Sequence, residues 1–212
     1  MASHHMTSAD RICLHNAARD LHTQFRGIFG EETIESLLHD SYAELAAHAT
    51  VTTWLAIGAE KFARQRLQAL AHAQAAASSR APAVLFLCVH NAGRSQMALG
   101  WFTHLAEGRA VAWSGGSEPV AGINPGVIDA MAEVGIDISH EFSKPFTDEF
   151  VLAADVVITM GCGDACPLLP GKHYEDWELD DPAGKTIEEI RPIRDEIRDR
   201  VTNLIEKVTS GH

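Results

Sequence analysis

Two short runs, AVLFL at 83–87 and DVVITM at 155–160, are apolar at nearly every position and lead straight into loops that contain glycine. A strand without polar alternation is buried on both faces, as in a parallel sheet covered by helices. Helical patterns stand at 95–106, at 125–134 closed by Gly135, and at 186–208. In the last of these, Ile187, Ile190, Ile193, Ile197, Val201, Leu204, Ile205 and Val208 share one face. Residues 111–113 make a further short strand. Such alternation implies right-handed βαβ crossovers, so the expected fold is α/β, a parallel sheet with helices on both faces. Ligands in these sheets sit beyond the carboxyl ends of the strands, which points to the loops after Leu87 and Met160.

The preceding residues follow another pattern. Ile12, Leu14, Leu21, Phe25 and Phe29 recur at helical spacing before Gly30. Ile34, Leu37, Leu38, Tyr42 and Leu45 continue a second helix up to the β-branched cluster at 50–53. Thr53 is suited to cap a third helix carrying Leu55, Phe62, Leu67 and Leu70. We therefore expect a small all-α three-helix domain over 7–77, a linker over 78–82 and the α/β domain over 83–212. Residues 1–6 read as a tag remnant, and Pro82 disfavours helix at Ala81. Cys13 lies on the apolar stripe and is expected to be a buried thiol. A small helical domain on a short linker suggests a homodimer.

Charge divides along the same boundary. Residues 1–80 carry 7 basic and 8 acidic side chains, whereas residues 81–212 carry 10 and 21. The net charge of −12 argues against a nucleic-acid partner, which needs a basic face. A DNA-reading helix-turn-helix in the first segment would rest on Lys61, Arg64 and Arg66 alone, and these read better as a solvated helix face. No apolar run near a terminus is long enough to cross a membrane and no signal-peptide pattern opens the chain, so a cytoplasmic protein is expected. In that compartment Cys13, Cys88, Cys162 and Cys166 are reduced thiols rather than a disulfide framework.

The loop after the first strand reads Cys88-Val89-His90-Asn91-Ala92-Gly93-Arg94-Ser95 and enters a helix. A tight loop at a helix N-terminus aims successive backbone N–H groups at one point, and the helix dipole adds positive potential there. Such an arrangement suits a tetrahedral oxyanion, and the Arg94 guanidinium is able to grip two of its oxygens. Asn91 and Gly93 tolerate the backbone angles that the loop needs. A thiol of ordinary pKa, about 8.5, is mostly protonated at neutral pH, so these surroundings, with a hydrogen bond from Ser95, would make Cys88 a nucleophile. The competing reading is a buried structural cysteine beside a loop arginine.

Cys-x5-Arg-Ser after the first strand resembles the low-molecular-weight protein tyrosine phosphatase superfamily, and VHNAGRSQMA resembles its arsenate reductase branch. The likeness covers roughly residues 83–208. It implies that Asp181, in LDDPAG before the last helix, is the general acid. Phosphatases of this superfamily usually place an aromatic residue after that Asp-Pro, whereas this chain has Ala183 there and Ala92-Gly93 in the loop. An aryl substrate would be poorly held, and a bare oxyanion would not.

The loop after Met160 carries Cys162 and Cys166. One cysteine pair without CxxC spacing or a nearby histidine pair is a poor zinc site. A structural disulfide closing so short a loop would stabilise by only about 2 kcal/mol and would be reduced in the cytosol. A redox pair fits better, since residues one helical turn apart lie within disulfide reach. Thioredoxin-coupled arsenate reductases resemble this arrangement of one nucleophilic and two shuttle cysteines, although their shuttle pair is commonly further apart. GCGDACP also resembles the mycothiol-coupled enzymes, so both reductants stand. The expectation is reduction of arsenate without metal or organic cofactor, through Cys88, Arg94, Asp181, Cys162 and Cys166, with residues 89–95 holding the anion. The rivals are a phosphatase using Cys88, Arg94 and Asp181, and an arsenic- or redox-sensing interaction protein, which would need the basic helix face that is missing.

Overall fold

The computed structural model describes residues 6–48, 54–76, 80–161 and 170–210. The chain divides into two compact units, Met1–Ala75 and Ala76–His212. The division falls two residues before the expected end of the helical domain.

The first unit contains α1 (Ser8–Gln24), α2 (Glu31–His48) and α3 (Leu55–Gln74). Thr7 and Asp10 cap α1 reciprocally, each side chain accepting the other's backbone N–H. Leu14, Ala17 and Leu21 face Phe25, Phe29, Ile34, Leu38, Ala59 and Leu67 in one core. Three expectations fail here. The stripe of α1 starts at Leu14, so Ile12 is 65% exposed and Cys13 is also exposed rather than buried. Gly27, at φ +80°, lies beyond the end of α1 at Gln24, so Phe29 belongs to the turn and not to the helix that Gly30 was expected to close. Arg66 is not solvated: it is buried, donates to Asp40 at 2.7 Å and sits over the Phe62 ring. Trp54 occupies the position before α3 with no side-chain cap, and Thr53 lies outside the described residues.

The second unit contains β1 (Ala83–Cys88), α4 (Arg94–Ala106), β2 (Val111–Gly116), α5 (Pro125–Ala132), α6 (Asp148–Ala153), β3 (Val156–Met160), β4 (His173–Asp176) and α7 (Ile187–Ser210). Its four-stranded sheet has the order β2-β1-β3-β4 and every pairing is parallel. The two central runs are buried, as their composition demands. On one face Val84 and Phe86 pack with Met97 and Phe102 of α4 and with Ile190, Ile197 and Val201 of α7. On the other, Trp113 stacks on Phe150 of α6. Helices therefore cover both faces. Register pairs Cys88 with Gly116 on one side and with Met160 on the other, so the ends of β1, β2 and β3 open on one edge. Strand β2 runs three residues beyond its expected end, and neither β4 nor α6 was expected.

Candidate active site

Cys88 closes β1 and is 3% exposed. The chain then turns through 89–93 into α4, and the loop's orientation follows from its carbonyl partners. Ser117 N–H donates to Cys88 O at 3.3 Å, Glu118 N–H to Val89 O at 2.8 Å and Asn124 N–H to Ala92 O at 2.9 Å. Ser143 Oγ donates to His90 O at 2.7 Å, and Gln96 Nε2 to Asn91 O at 3.1 Å. Across a trans peptide the C=O and the following N–H point in opposite directions. With five successive carbonyls held outward, the amides of Val89, His90, Asn91, Ala92 and Gly93 turn towards the inside of the loop. The Asn91 amide shows this directly, lying 3.2 Å from Cys88 Sγ.

The turn depends on two unusual positions. Asn91 adopts φ +48°, and its buried side chain donates to Ser95 Oγ at 2.9 Å while accepting from Lys144 N–H at 3.1 Å and Gln96 Nε2 at 3.0 Å. A Cβ at Gly116 would stand 2.7 Å from Val89 O, so only glycine lets the end of β2 run alongside the loop. Ser95 Oγ lies 3.0 Å from Cys88 Sγ, completing a thiol with a hydroxyl and an amide against it. The N-terminus of α4 points into the same space and favours an anion.

Arg94 is the first residue of α4, and its side chain is 11% exposed. Its Nη2 donates to Asp181 Oδ2 at 2.7 Å and its Nη1 reaches Leu179 O at 3.4 Å. Asp181 is half exposed, and its other oxygen accepts the Ala183 N–H at 2.9 Å. Pro182 rests against Gly93, where a Cβ would meet the proline ring at 2.6 Å. Cys88, Arg94 and Asp181 thus line one cleft of about 250 Å³, together with Val120, Ile123, Asn124 and Pro125. No Phe, Tyr or Trp ring lines it among the described residues. Nor does any group of three His, Cys, Asp or Glu side chains among them form a metal site.

Of the expected site residues, Cys88, Arg94, Asp181 and the loop 89–95 come together, with His90 exposed at the rim and its Nδ1 beside Glu118 O at 3.1 Å. Cys162 and Cys166 lie outside the described residues. The neighbouring Gly161 has φ +77°, and a Cβ there would stand 3.0 Å from Arg94 Nη1. The sequence reading missed the groups that shape the loop from behind. These are Ser114, Asn124, Ser143, Gln96 and Lys144. Lys144 is fully buried between Ser114 and Phe142, and burial pushes its ammonium down to about 8, with Glu141 opposing the shift. The Asn124-Pro125 pair was the one legible clue, since Asn before Pro is a helix-start signal.

Residues 83–211 match the family model described as low molecular weight phosphotyrosine protein phosphatase, and residues 14–71 match that of a protein-tyrosine-phosphatase-like N-terminal domain. Arsenate reductase 1 of Staphylococcus epidermidis is 40% identical over 129 residues, which span 59% of this chain and 96% of that protein. A glutaredoxin arsenate reductase of Synechocystis is also 40% identical over 129 residues, spanning 59% and 98%. Among solved structures, a thioredoxin-dependent arsenate reductase of Corynebacterium glutamicum is 44% identical with a TM-score of 0.82, covering 94% of this chain and 98% of its own. A low molecular weight protein tyrosine phosphatase from T. tengcongensis gives a TM-score of 0.54 at 25% identity, covering 60% of this chain and 99% of its own. The Cys88 loop and its parallel sheet lie wholly within the first of these matches, and the chain belongs to the low molecular weight phosphotyrosine protein phosphatase family.

Proposed function

We propose that this protein reduces arsenate to arsenite, with Cys88 as nucleophile and thioredoxin as the source of electrons. The observation that carries the reading is a ring of inward amides around the Cys88 thiol, beside Arg94 and in a cleft that no aromatic ring lines among the described residues. A tetrahedral oxyanion fits that ring, and a phenyl ester finds no ring to stack on among the described residues. The named arsenate reductases at 40–44% identity support it.

Arsenate docks on the amides of 89–95 and exchanges with Asp181 for the guanidinium of Arg94. Cys88 Sγ attacks arsenic, an As–S bond forms, and Asp181 gives its proton to the departing oxygen as water leaves. Cys162 then attacks Cys88 Sγ. The As–S bond breaks with its electron pair left on arsenic, which departs as arsenite, and Cys88 and Cys162 are joined as a disulfide. Cys166 attacks Cys162, freeing Cys88, and thioredoxin reduces the Cys162–Cys166 disulfide. The register of β1 and β3 favours this route, because Cys162 follows Met160, the partner of Cys88, by two residues. A relay of free thiols also suits a reducing, cytoplasmic compartment.

Steady-state arsenite formation tests the reading in parallel assays with thioredoxin and its reductase, with mycothiol and its redoxin, and with glutathione and glutaredoxin. Turnover with thioredoxin alone is expected. Turnover only with mycothiol or glutaredoxin would replace the internal relay by an external thiol. Phosphomonoester hydrolysis is the second reading, because the family and the T. tengcongensis structure share the sheet. Hydrolysis of an aryl phosphate with no arsenite formed in any assay would favour it.

A further inference from the structure

Asn124 stands where three parts of the cleft meet. Its backbone N–H donates to Ala92 O of the Cys88 loop at 2.9 Å. Its side-chain oxygen accepts the Gly126 N–H at 2.9 Å and so caps α5. Its side-chain nitrogen donates to Pro182 O at 3.2 Å, one residue past Asp181. Pro125 restricts the backbone of Asn124 to extended angles, and ψ is 119°. The amide therefore has little freedom: one end is fixed by the helix cap and the other points at the Asp181-Pro182 loop.

That loop needs an anchor. Asp181 is half exposed, and its ion pair with Arg94 is the contact that an incoming oxyanion must break. Once Arg94 turns to the anion, Asp181 keeps its bond to Ala183 N–H, and the loop keeps the Pro182 ring on Gly93 and the Asn124–Pro182 bond. The geometry points to Asn124 as a positioning residue that seats the proton-donor loop over the Cys88 loop and holds it there when Arg94 is engaged by substrate. This rests on the proposed role of Asp181 as proton donor. Residue type matters at this position. Asp and Ser cap a helix about as well as Asn. Asp offers a carboxylate, with no donor, to the Pro182 carbonyl, and Ser is too short to reach it.

The test compares Asn124→Ser and Asn124→Asp with Asp181→Asn and with the Asn124→Ser, Asp181→Asn double variant, all in the full chain. One readout is the single-turnover rate of arsenite release. The other is protection of Cys88 from iodoacetamide by inorganic phosphate, followed by the mass of the Cys88 peptide, which reports anion binding without proton transfer. Losing the Pro182 bond should slow single turnover about tenfold in Asn124→Ser and at least as much in Asn124→Asp. Phosphate protection should stay within about twofold of wild type, because the amides and Arg94 remain. In the Asp181→Asn background Asn124→Ser should add nothing. Equal loss of rate and of protection would make Asn124 a builder of the Cys88 loop and overturn the proposal. So would a wild-type rate in Asn124→Ser and Asn124→Asp beside a slow Asp181→Asn, which leaves Asp181 as donor. A wild-type rate in Asp181→Asn would overturn both readings. Should the serine variant fail to fold, Asn124→Asp carries the comparison alone.

Discussion

At the scale of single residues the proposed chemistry rests on Cys88 and Arg94. Cys88→Ser should abolish arsenite formation, since a serine hydroxyl stays protonated at neutral pH. Arg94→Lys should lower kcat/KM roughly a hundredfold, because an ammonium lacks the two-pronged grip on an oxyanion. Steady-state assays on the purified variants measure both, and wild-type activity in either would remove the Cys88 loop from the chemistry. Gly93→Ala tests the fit of the Pro182 ring, which a Cβ would meet at 2.6 Å. The variant should fold and bind phosphate, yet release arsenite more slowly as the Asp181 loop is pushed away. Binding by calorimetry and turnover rates separate the two effects. Residues 88–95 were readable because they are contiguous and because strand, loop and helix leave one place for them. Lys144 and Ser143 were not, since nothing in the spacing of residues 53 positions apart says that they bond Asn91 and His90 of the loop.

Elements were legible in proportion to their burial. The central strands β1 and β3 and the long stripe of α7 stood out because the core selects every residue, or every third and fourth. Strand β4 is a polar edge of four residues, His173–Asp176, and α6 has only six residues, so neither carries a period. Cys13 and Arg66 were misread because periodicity alone does not place the edge of a helical stripe, and tertiary partners such as Asp40 decide it. Between α5 and α6 the segment carrying Lys144 offers a test of its own. The ammonium titrates near 8 when folded and near 10.5 when unfolded. Between these values the unfolded chain binds more protons, so this group makes the protein more stable as pH rises. The gain from pH 7.5 to 10 should be roughly 2 kcal/mol. Lys144→Met should lose that dependence, which denaturant titrations of both proteins at the two pH values measure. A constant difference between them would mean that Lys144 is not held as a buried charge.

For the whole molecule, the two-part organisation was readable from the change of period near residue 80, and the units divide at Ala75. Every group proposed for catalysis lies beyond residue 87. A chain starting at residue 76 should therefore keep arsenite formation within a few-fold of the full-length rate. Loss of activity in a truncated chain with intact circular dichroism would assign the helical unit a part in the reaction. The proposed shuttle rests on the sequence alone, because Cys162 and Cys166 lie outside the described residues. It is tested most directly by mixing Cys166→Ser with excess arsenate in the absence of any reductant, then counting arsenite and mapping disulfides by mass spectrometry. One arsenite per chain and a Cys88–Cys162 disulfide are expected. No arsenite, or one arsenite with Cys162 still a free thiol, would contradict the internal relay.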